Sequence, residues 1–192
     1  MADTNRIAKE LREIASDTAS GVTVSPHGDS LTHMKGTITG PSDTVYDGGI
    51  FHIDIQIGHA YPFEPPKMKF LTKVWHPNVS SASGAICLDV LKDQWSPALT
   101  LKTALLSCQA LLAAPEPSDP QDAVVAKMYM EQRETFDATA REWTKKYATE
   151  KQVDPVAGEL MEMGFSESAV LKALTKCGGD KNRALEQLLG DA

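Results

Sequence analysis

The chain is poor in cysteine, and this scarcity excludes several classes of protein. Its 192 residues include only Cys87, Cys108 and Cys177, and no two of them form a Cys-x-x-Cys pair. Such a small, odd number fits neither a disulfide framework nor a zinc site. We therefore expect no metal, and we expect a reducing compartment, which means the cytoplasm, the nucleus or both.

Basic charge and long apolar runs are also lacking. The 19 Lys and Arg residues are outnumbered by 26 Asp and Glu residues, which leaves a formal net charge of −7. This balance argues against nucleic-acid binding and against adhesion to an anionic membrane. No apolar run approaches the ~18 residues that span a bilayer, and the first residues lack the apolar segment of a secretory signal. We expect neither membrane association nor export.

The hydrophobic pattern predicts an α+β fold. With 42% hydrophobic and 23% charged residues, the composition is that of a globular chain of one or two domains. A helix is predicted at residues 4–17, followed by four short strands near residues 22–24, 34–39, 51–57 and 68–71. Tight turns between the strands favour a four-stranded antiparallel meander. Three further helices are predicted at residues 100–113, 123–130 and 135–147, so helices flank the sheet.

A second, smaller domain is predicted at the C-terminal end. Residues 149–153 are polar and lack periodicity, which is typical of a linker between a first domain (residues 1–148) and a second (residues 154–192). The second domain contains three short helical patterns, which predict a three-helix bundle. About 40 residues are barely enough to hold a separate core.

Residues 73–99 contain little regular pattern but several residues that carry chemistry. His76, Pro77 and Asn78 form a turn, and Cys87 follows nine residues after Asn78. Long structured loops in compact domains are usually functional, and a thiolate is a strong nucleophile. His76 is the only histidine close in sequence to Cys87, but a Pro-bounded turn is a poor position for a mobile base.

The turn of His76 to Asn78 and the segment around Cys87, together with residues 61–67 and 94–98, are similar to motifs of the ubiquitin-conjugating enzymes. The resemblance covers residues 4–148. The resemblance implies that Cys87 accepts ubiquitin as a thioester from the activating enzyme and transfers it to a lysine amine on a protein substrate, with help from a ubiquitin ligase. ATP is used by the activating enzyme, so no cofactor is expected on this chain. His76 and Pro77 are implied to support the site structurally.

Two further residues carry roles implied by the resemblance, each with an alternative. Asn78 is implied to stabilise the oxyanion that forms when the amine attacks; alternatively, it only anchors its loop. Asp119 is implied to orient the incoming lysine and accept its proton; alternatively, it is a turn-forming Asp before proline. The family usually carries a second acid one residue earlier, where this chain has Ser118.

The resemblance also predicts surfaces that bind partners. Leu106 lies on the side of its helix away from the apolar stripe, so we expect it to be exposed and to contact the thioester-linked ubiquitin. The surface predicted for the activating enzyme and the ligases consists of two loops and one helix face, namely Arg6, Lys9, Arg12, Phe63, Ser96, Pro97 and Ala98. A charged helix face is otherwise usually just solvated. We expect a monomer.

The C-terminal domain resembles a ubiquitin-associated domain. The pattern is Met163, Gly164 and Phe165 between the first two helices, with Leu188 and Leu189 at the end of the third. The resemblance implies that these five residues bind ubiquitin non-covalently; alternatively, some of them close a very small core. A ubiquitin site tethered to the catalytic domain raises the local ubiquitin concentration, which favours extension of polyubiquitin chains.

Other functions compete with ubiquitin conjugation. A role in conjugating a ubiquitin-like modifier is disfavoured by three features. These are the negative net charge, the lack of a strongly basic first helix, and the C-terminal domain that resembles a ubiquitin-associated domain. A catalytically dead ubiquitin-binding scaffold is opposed by the joint presence of Cys87, Asn78 and Asp119. A cysteine hydrolase, which needs an imidazole base with an orienting partner, is a more distant alternative.

Overall fold

The computed structural model describes residues 3–28, 30–149, 156, 159–160 and 163–190. Its internal contacts divide the chain into two units, Met1–Thr149 and Glu150–Ala192. Each unit is described below by itself. Among the described residues, no helix is both long enough and apolar enough to cross a membrane.

The first unit is built on a four-stranded antiparallel sheet whose strands follow one another in chain order. The strands are β1 (Val22–His27), β2 (Ser30–Thr39), β3 (Ile50–Gln56) and β4 (Lys67–Phe70). Pairing aligns Met34 with Ile55 and Ile53 with Phe70, so large apolar side chains meet on one face of the sheet. The predicted meander is confirmed.

Four helices accompany this sheet: α1 (Thr4–Ser16), α2 (Leu101–Ala113), α3 (Ala123–Glu131) and α4 (Arg133–Tyr147). Asp3 caps α1 by accepting a hydrogen bond from the backbone N–H of Arg6, and Thr100 forms a capping box with Thr103 at the start of α2. The predicted helices are confirmed, with individual ends shifted by up to two residues.

Helix α2 lies close to strand β2 because the contact point on the strand has no side chain. A Cβ atom at Gly36 would lie 2.8 Å from a Leu105 methyl group and 2.9 Å from a methyl group of Ile55. Leu105 and Cys108 are fully buried in the core formed there. This close contact fixes the position of α2, the helix that follows the loop containing Cys87.

The second unit contains α5 (Glu167–Lys176) and α6 (Lys181–Gly190). Val156, Glu159 and Leu160 are also helical, although the bounds of this preceding helix lie outside the described residues. A separate small core is formed by six buried residues: Leu160, Val170, Ala173, Leu174, Ala184 and Leu188. The prediction of a helical C-terminal domain is confirmed.

Candidate active site

The loop containing Cys87 folds back on the His76 turn and is held there by backbone hydrogen bonds. The N–H of Cys87 donates to the carbonyl of Asn78 at 2.9 Å, and the N–H of Ser80 donates to the carbonyl of Ala85 at 2.9 Å. Gly84 makes the reversal possible because its φ is +75° and an added Cβ would lie 2.0 Å from the Phe70 carbonyl oxygen. The thiol is therefore carried by a braced loop.

His76 is hydrogen-bonded to the backbone through both nitrogens of its ring. Its ring is fully buried, Nδ1 accepts the N–H of Asn78 at 3.0 Å, and Nε2 donates to the carbonyl of Leu111 at 2.9 Å. These partners assign the proton to Nε2. Burial lowers the pKa of His76 to about 4, so the ring is neutral near pH 7. Both ring nitrogens are occupied, and neither is available to Cys87.

Pro77 and Asn78 hold the loop that carries Asp119. The carbonyl of Pro77 accepts the N–H groups of Gln121 and Asp122, each at 2.9 Å. The side-chain amide of Asn78 donates to the carbonyls of Glu116 and Asp119 at 2.8 and 2.9 Å. Its Oδ1 accepts the N–H of Glu116 at 2.8 Å. Both amide hydrogens of Asn78 are therefore used in anchoring the loop. This geometry agrees with the alternative interpretation of Asn78 as a loop anchor.

Cys87 is partly exposed and lies between the carboxylate of Asp119 and the ammonium group of Lys92. Its Sγ donates to Oδ2 of Asp119 at 3.4 Å, and Nζ of Lys92 donates to Sγ at 3.2 Å. The hydrogen bond from Nζ of Lys92 to the sulfur of Cys87 raises the pKa of Lys92 above its usual value. Cys87, Asn78 and Asp119 are thus brought together, and a reachable thiol has a cation and a carboxylate beside it.

Lys92 is the residue of this cluster that the sequence analysis missed. It follows the short 3₁₀ helix Asp89–Leu91, which directs the chain back past the thiol. A lysine five residues after a candidate nucleophile in a loop could have been singled out, since cations near a cysteine favour its thiolate form. Sequence spacing in a loop, however, does not determine which side chains meet.

The other two cysteines differ from Cys87 in environment. Cys108 is fully buried in α2, and burial raises its pKa to about 12. Cys177 is partly buried at the end of α5, where its Sγ lies 3.6 Å from Oε1 of Gln187. Within the described part of the chain, no group of three or more His, Cys, Asp or Glu side chains could hold a metal ion.

Comparison with known protein families identifies the family of each part of the chain. The family model of ubiquitin-conjugating enzymes matches residues 6–144, and the model of the UBA/TS-N domain matches residues 156–188. The chain belongs to the ubiquitin-conjugating enzyme family. It is 57% identical over 189 residues to ubiquitin-conjugating enzyme E2 27 of Arabidopsis thaliana, covering 98% of each chain.

Other ubiquitin-conjugating enzymes are similar to this one in sequence and in structure. Ubiquitin-conjugating enzyme E2 K of Homo sapiens is 47% identical, with 97% of this chain and 96% of that protein covered. The E2 domain of a Toxoplasma gondii ubiquitin-conjugating enzyme superposes with a TM-score of 0.74 at 52% identity, covering 77% of this chain and 99% of that one. The family and its fold are therefore established for this chain.

The two loops predicted to bind ligases are exposed at their tips and are joined to each other by a hydrogen bond. The side chain of Phe63 is 79% exposed, and Ser96, Pro97 and Ala98 are exposed on the second loop. Below them, Nε1 of Trp95 donates to the carbonyl of Pro62 at 2.8 Å and joins the two loops. An apolar side chain presented on a rigid support is a typical protein-binding feature.

The basic face of α1 is smaller than the sequence predicts. Lys9 and Arg12 are exposed, but Arg6 is half-buried. The guanidinium of Arg6 donates to Oε1 of Glu10 at 2.7 Å and to the carbonyl of Leu99 at 2.8 Å. Arg6 therefore links α1 to the residues before α2, and Lys9 and Arg12 remain as the exposed cations of this trio.

Leu106 is half-buried rather than exposed. It packs against the edge of the core and lines a groove together with Pro41, Gln109 and Ala110. The predicted exposure is incomplete because part of the Leu106 side chain packs against the core. The part that remains accessible faces the groove.

The predicted ubiquitin-binding patch of the second unit is partly core. Met163 and Leu189 are 56% and 64% exposed, and Gly164 has a φ of +95° that permits the turn between helices. Leu188 is buried in the small core and Phe165 packs against it. Leu188 is therefore corrected from a contact residue to a core residue, because only one of two consecutive helical residues can face inward here.

Proposed function

We propose that this enzyme accepts the C-terminal carboxyl group of ubiquitin on Cys87 as a thioester and transfers it to a lysine amine. The observation that carries the proposal is a partly exposed thiol held between Lys92 and Asp119 on a braced loop. A thioester keeps the acyl group reactive toward amines without a strong base at the thiol. The neutral, fully bonded His76 argues against a cysteine hydrolase, which needs an available imidazole.

Loading begins when the sulfur of Cys87 attacks the thioester that ubiquitin forms with the activating enzyme. The ammonium of Lys92 donates a hydrogen bond to this sulfur, and the attacking species is the thiolate. The new thioester forms as the thiolate of the activating enzyme leaves. ATP is consumed upstream of this step, and no cofactor is assigned to this chain.

Transfer begins when the acceptor lysine arrives beside Asp119. A free lysine amine has a pKa near ~10.4, so it is almost fully protonated at neutral pH. The exposed carboxylate of Asp119, 3.4 Å from the sulfur, can orient the ammonium and take its proton. Asn78 supports this step by holding the backbone of Asp119 in position. An oxyanion contact by Asn78 would require release of one of its loop hydrogen bonds.

The partner surfaces complete the proposal. The activating enzyme binds the face of α1 that exposes Lys9 and Arg12, and ligases bind Phe63, Pro97 and Ala98 on the braced loops. Arg6 and Glu10 tie α1 to the segment between those loops and α2, so the two docking surfaces are adjacent. We therefore propose that the activating enzyme and the ligase bind in turn, in the cytoplasm or nucleus.

The second unit is proposed to hold a further ubiquitin through Met163, Gly164 and Leu189. Because it is tethered to the catalytic unit, a weak site there raises the local concentration of ubiquitin and favours extension of a chain. The match of residues 156–188 to the UBA/TS-N domain supports ubiquitin, rather than a ubiquitin-like modifier, as the substrate.

A single mixing experiment tests the proposed activity. The protein is incubated with activating enzyme, ATP and ubiquitin, and the products are separated with and without reductant. We expect an adduct that reductant removes, that is absent in Cys87→Ala, and that becomes a reductant-resistant oxyester in Cys87→Ser. Cys177→Ala is the matched control and should form the adduct normally. An adduct that persists in Cys87→Ala would overturn the proposal.

A further inference from the structure

Asp122 connects the start of α3 to the loop that carries Cys87. Its Oδ1 accepts the N–H of Val125 at 3.2 Å and so caps the helix. Its Oδ2 accepts two hydrogen bonds from Ser81, one from the backbone N–H at 3.2 Å and one from the hydroxyl at 2.6 Å. Because different oxygen atoms make the helix cap and the contact with Ser81, the two tasks of this carboxylate can be separated by substitution.

The hydrogen bonds of Asp122 keep its side chain ionised. Partial burial acts to raise the pKa of this carboxyl group, but hydrogen bonds from Ser81 and from the first N–H groups of α3 lower it, and the pKa lies below its usual value. Hydrogen bonds from a hydroxyl to a carboxylate are shorter and stronger than those between neutral groups, and the contact with the Ser81 hydroxyl has this short length. The link between Asp122 and Ser81 is therefore charge-assisted.

Asp119 lies between two anchored points of its own loop. On one side, the side-chain amide of Asn78 holds the carbonyl of Asp119 at 2.9 Å. On the other side, the chain is held where Asp122 meets Ser81. The carboxylate of Asp119 is exposed and lies 3.4 Å from the sulfur of Cys87. The position of this exposed carboxylate therefore depends on how firmly the backbone on both sides of it is anchored.

We propose that Asp122 is a positioning residue for the transfer to lysine. Through its link to Ser81 it holds Asp119 where that carboxylate can take the proton of the incoming lysine. This inference rests on the proposed role of Asp119 in transfer. Asp122 acts through the backbone of the loop and not on the reacting atoms. The effect can be large, because a misplacement of about 1 Å at a reacting centre can cost on the order of 10²-fold in rate.

The thiol itself is held by contacts that do not involve Asp122. The N–H of Cys87 donates to the carbonyl of Asn78 at 2.9 Å, and this hydrogen bond fixes the loop at the sulfur. Releasing Ser81 from Asp122 should therefore leave the thiol in place and loosen the segment that carries Asp119. Since loading uses the sulfur and transfer uses Asp119 as well, transfer should slow while loading stays near normal.

Two variants release the link from its two sides while keeping the cap of α3. Asp122→Asn retains one oxygen for the N–H of Val125 but turns an NH₂ group toward Ser81, and asparagine caps helices about as well as aspartate. Ser81→Ala removes the hydroxyl and leaves the carboxylate unchanged. Ser83→Ala is the matched control, because it removes an exposed hydroxyl of the same loop that accepts the N–H of Ala85 at 3.4 Å.

Single-turnover discharge of the preloaded full chain measures the effect. With free lysine as the acceptor at pH 7, Asp122→Asn and Ser81→Ala should each discharge roughly tenfold more slowly than the original chain, while their loading rates and both rates of Ser83→Ala stay near normal. The deficit should shrink in alkaline solution, where lysine loses its proton unaided. Hydroxylamine, an amine that is already neutral at pH 7, should discharge these variants at the original rate. Simple loosening of the fold would not produce this dependence on the protonation of the acceptor.

A double variant shows whether Asp122 acts through Asp119. Adding Asp122→Asn to Asp119→Asn should slow discharge little further, because the group that Asp122 positions is already gone. Normal discharge by both Asp122→Asn and Ser81→Ala would overturn the inference, and so would losses that multiply fully with that of Asp119→Asn. Equal slowing of loading and discharge would also overturn it, since the effect would then lie at the thiol.

These outcomes differ from failure of the proposed function. An original chain that forms no reductant-sensitive adduct would contradict the thioester on Cys87. Normal discharge by Asp119→Asn would contradict the proposed role of Asp119, and the inference about Asp122 would fall with it. Slow discharge by Asp119→Asn beside normal discharge by Asp122→Asn and Ser81→Ala would leave the proposed function intact and exclude the positioning role alone.

Discussion

At the scale of single residues, Asp119 is predicted to act in only one of the two proposed half-reactions, the transfer to lysine. Its carboxylate lies next to the sulfur but is exposed, so its role is predicted in handling the lysine rather than in forming the thioester. Asp119→Asn should slow discharge to free lysine on the order of 10²-fold at pH 7 while loading stays near normal. Single-turnover discharge of preloaded enzyme measures this rate.

The defect in Asp119→Asn should shrink as pH rises. Lysine loses its proton unaided near its pKa of ~10.4, so the carboxylate becomes less necessary in alkaline solution. Asp93→Asn is the matched control, since it removes an exposed acid from the neighbouring loop, and it should discharge normally. A deficit that is equal at all pH values would contradict proton transfer by Asp119.

His76 makes the stability of the first unit depend on pH. Burial lowers its pKa to about 4 from the usual 6.5, so the unfolded chain binds a proton that the folded chain rejects. The neutral His76 ring therefore adds roughly 3 kcal/mol to the free energy of unfolding above about pH 6.5. This contribution is lost as the pH falls from about 6.5 toward 4. The His76→Gln variant should have a lower free energy of unfolding than the original chain at pH 7. On acidification, however, its free energy of unfolding should fall by less.

Urea unfolding at several pH values measures the effect of His76. Tryptophan fluorescence is the appropriate signal, because all three tryptophans, Trp75, Trp95 and Trp143, lie in the first unit. The difference in unfolding free energy between the original chain and His76→Gln should narrow from pH 6.5 to pH 4. Parallel pH curves would mean that His76 does not titrate as proposed.

At the scale of elements, α1 and α2 are joined by one buried carboxylate. Glu10 is 4% exposed and accepts the hydroxyl of Tyr61 at 2.8 Å, Nε of Arg6 at 2.7 Å and the N–H of Leu101 at 2.8 Å. The last of these satisfies an N–H in the first turn of α2, which has no partner within its own helix. Glu10 therefore connects α1, α2 and the loop that contains Tyr61.

Removing this carboxylate should destabilise the first unit strongly. Glu10→Ala leaves the guanidinium of Arg6 and the hydroxyl of Tyr61 without their buried acceptor, and should cost roughly 3 kcal/mol or more. Glu13→Ala, which removes an exposed acid 3.7 Å from Lys9 on the same helix, should cost at most about 0.5 kcal/mol. Urea unfolding followed by tryptophan fluorescence compares the two, and similar costs would contradict the role of Glu10.

The accessible edge of Leu106 on α2 is predicted to hold the thioester-linked ubiquitin during transfer. Leu106→Ala should slow discharge to lysine roughly tenfold, equivalent to ~1.4 kcal/mol, while loading remains near normal. Val124→Ala, at a 68% exposed apolar side chain on α3, is the control and should leave both rates unchanged. Equal slowing of loading and discharge by Leu106→Ala would refute this role.

At the scale of the whole molecule, the two units have separate cores and separate predicted tasks. Removing residues 150–192 should leave loading of Cys87 unchanged and shorten the polyubiquitin chains that accumulate. The physical reason is the loss of a tethered ubiquitin site, not a change in the thiol. Gel analysis of chain length, with the loading rate measured in parallel, checks both parts.

Point variants distinguish binding from stability in the second unit. Met163→Ala with Leu189→Ala should weaken non-covalent ubiquitin binding, since both side chains are exposed and neither closes the core. Leu171→Ala, at a 48% exposed leucine on α5, should bind ubiquitin normally. Unchanged chain length in the double variant, despite weakened binding, would assign the unit another role.

The sequence by itself determined the elements and the family, and it predicts Cys87 as the working thiol. Alternating residues such as Ile53 and Ile55 predict a half-buried strand, and the spacing of Ile7 and Ile14 predicts a helix face, because both periods are local properties of the backbone. The family was indicated by four short blocks in order: residues 61–67, the turn of His76 to Asn78, the segment around Cys87, and residues 94–98. Each of these signals lies within a few residues along the chain.

Only the tertiary structure decided which distant side chains meet. Glu10 interrupts the apolar face of α1 in the sequence, and its partner Leu101 is 91 residues away. Likewise, Lys92 lies in a loop, where no period predicts direction, and only the folded chain brings its amine to Cys87. Burial made the same distinction between Leu188 and Leu189, since core packing selects one of two adjacent leucines and hydrophobicity alone does not.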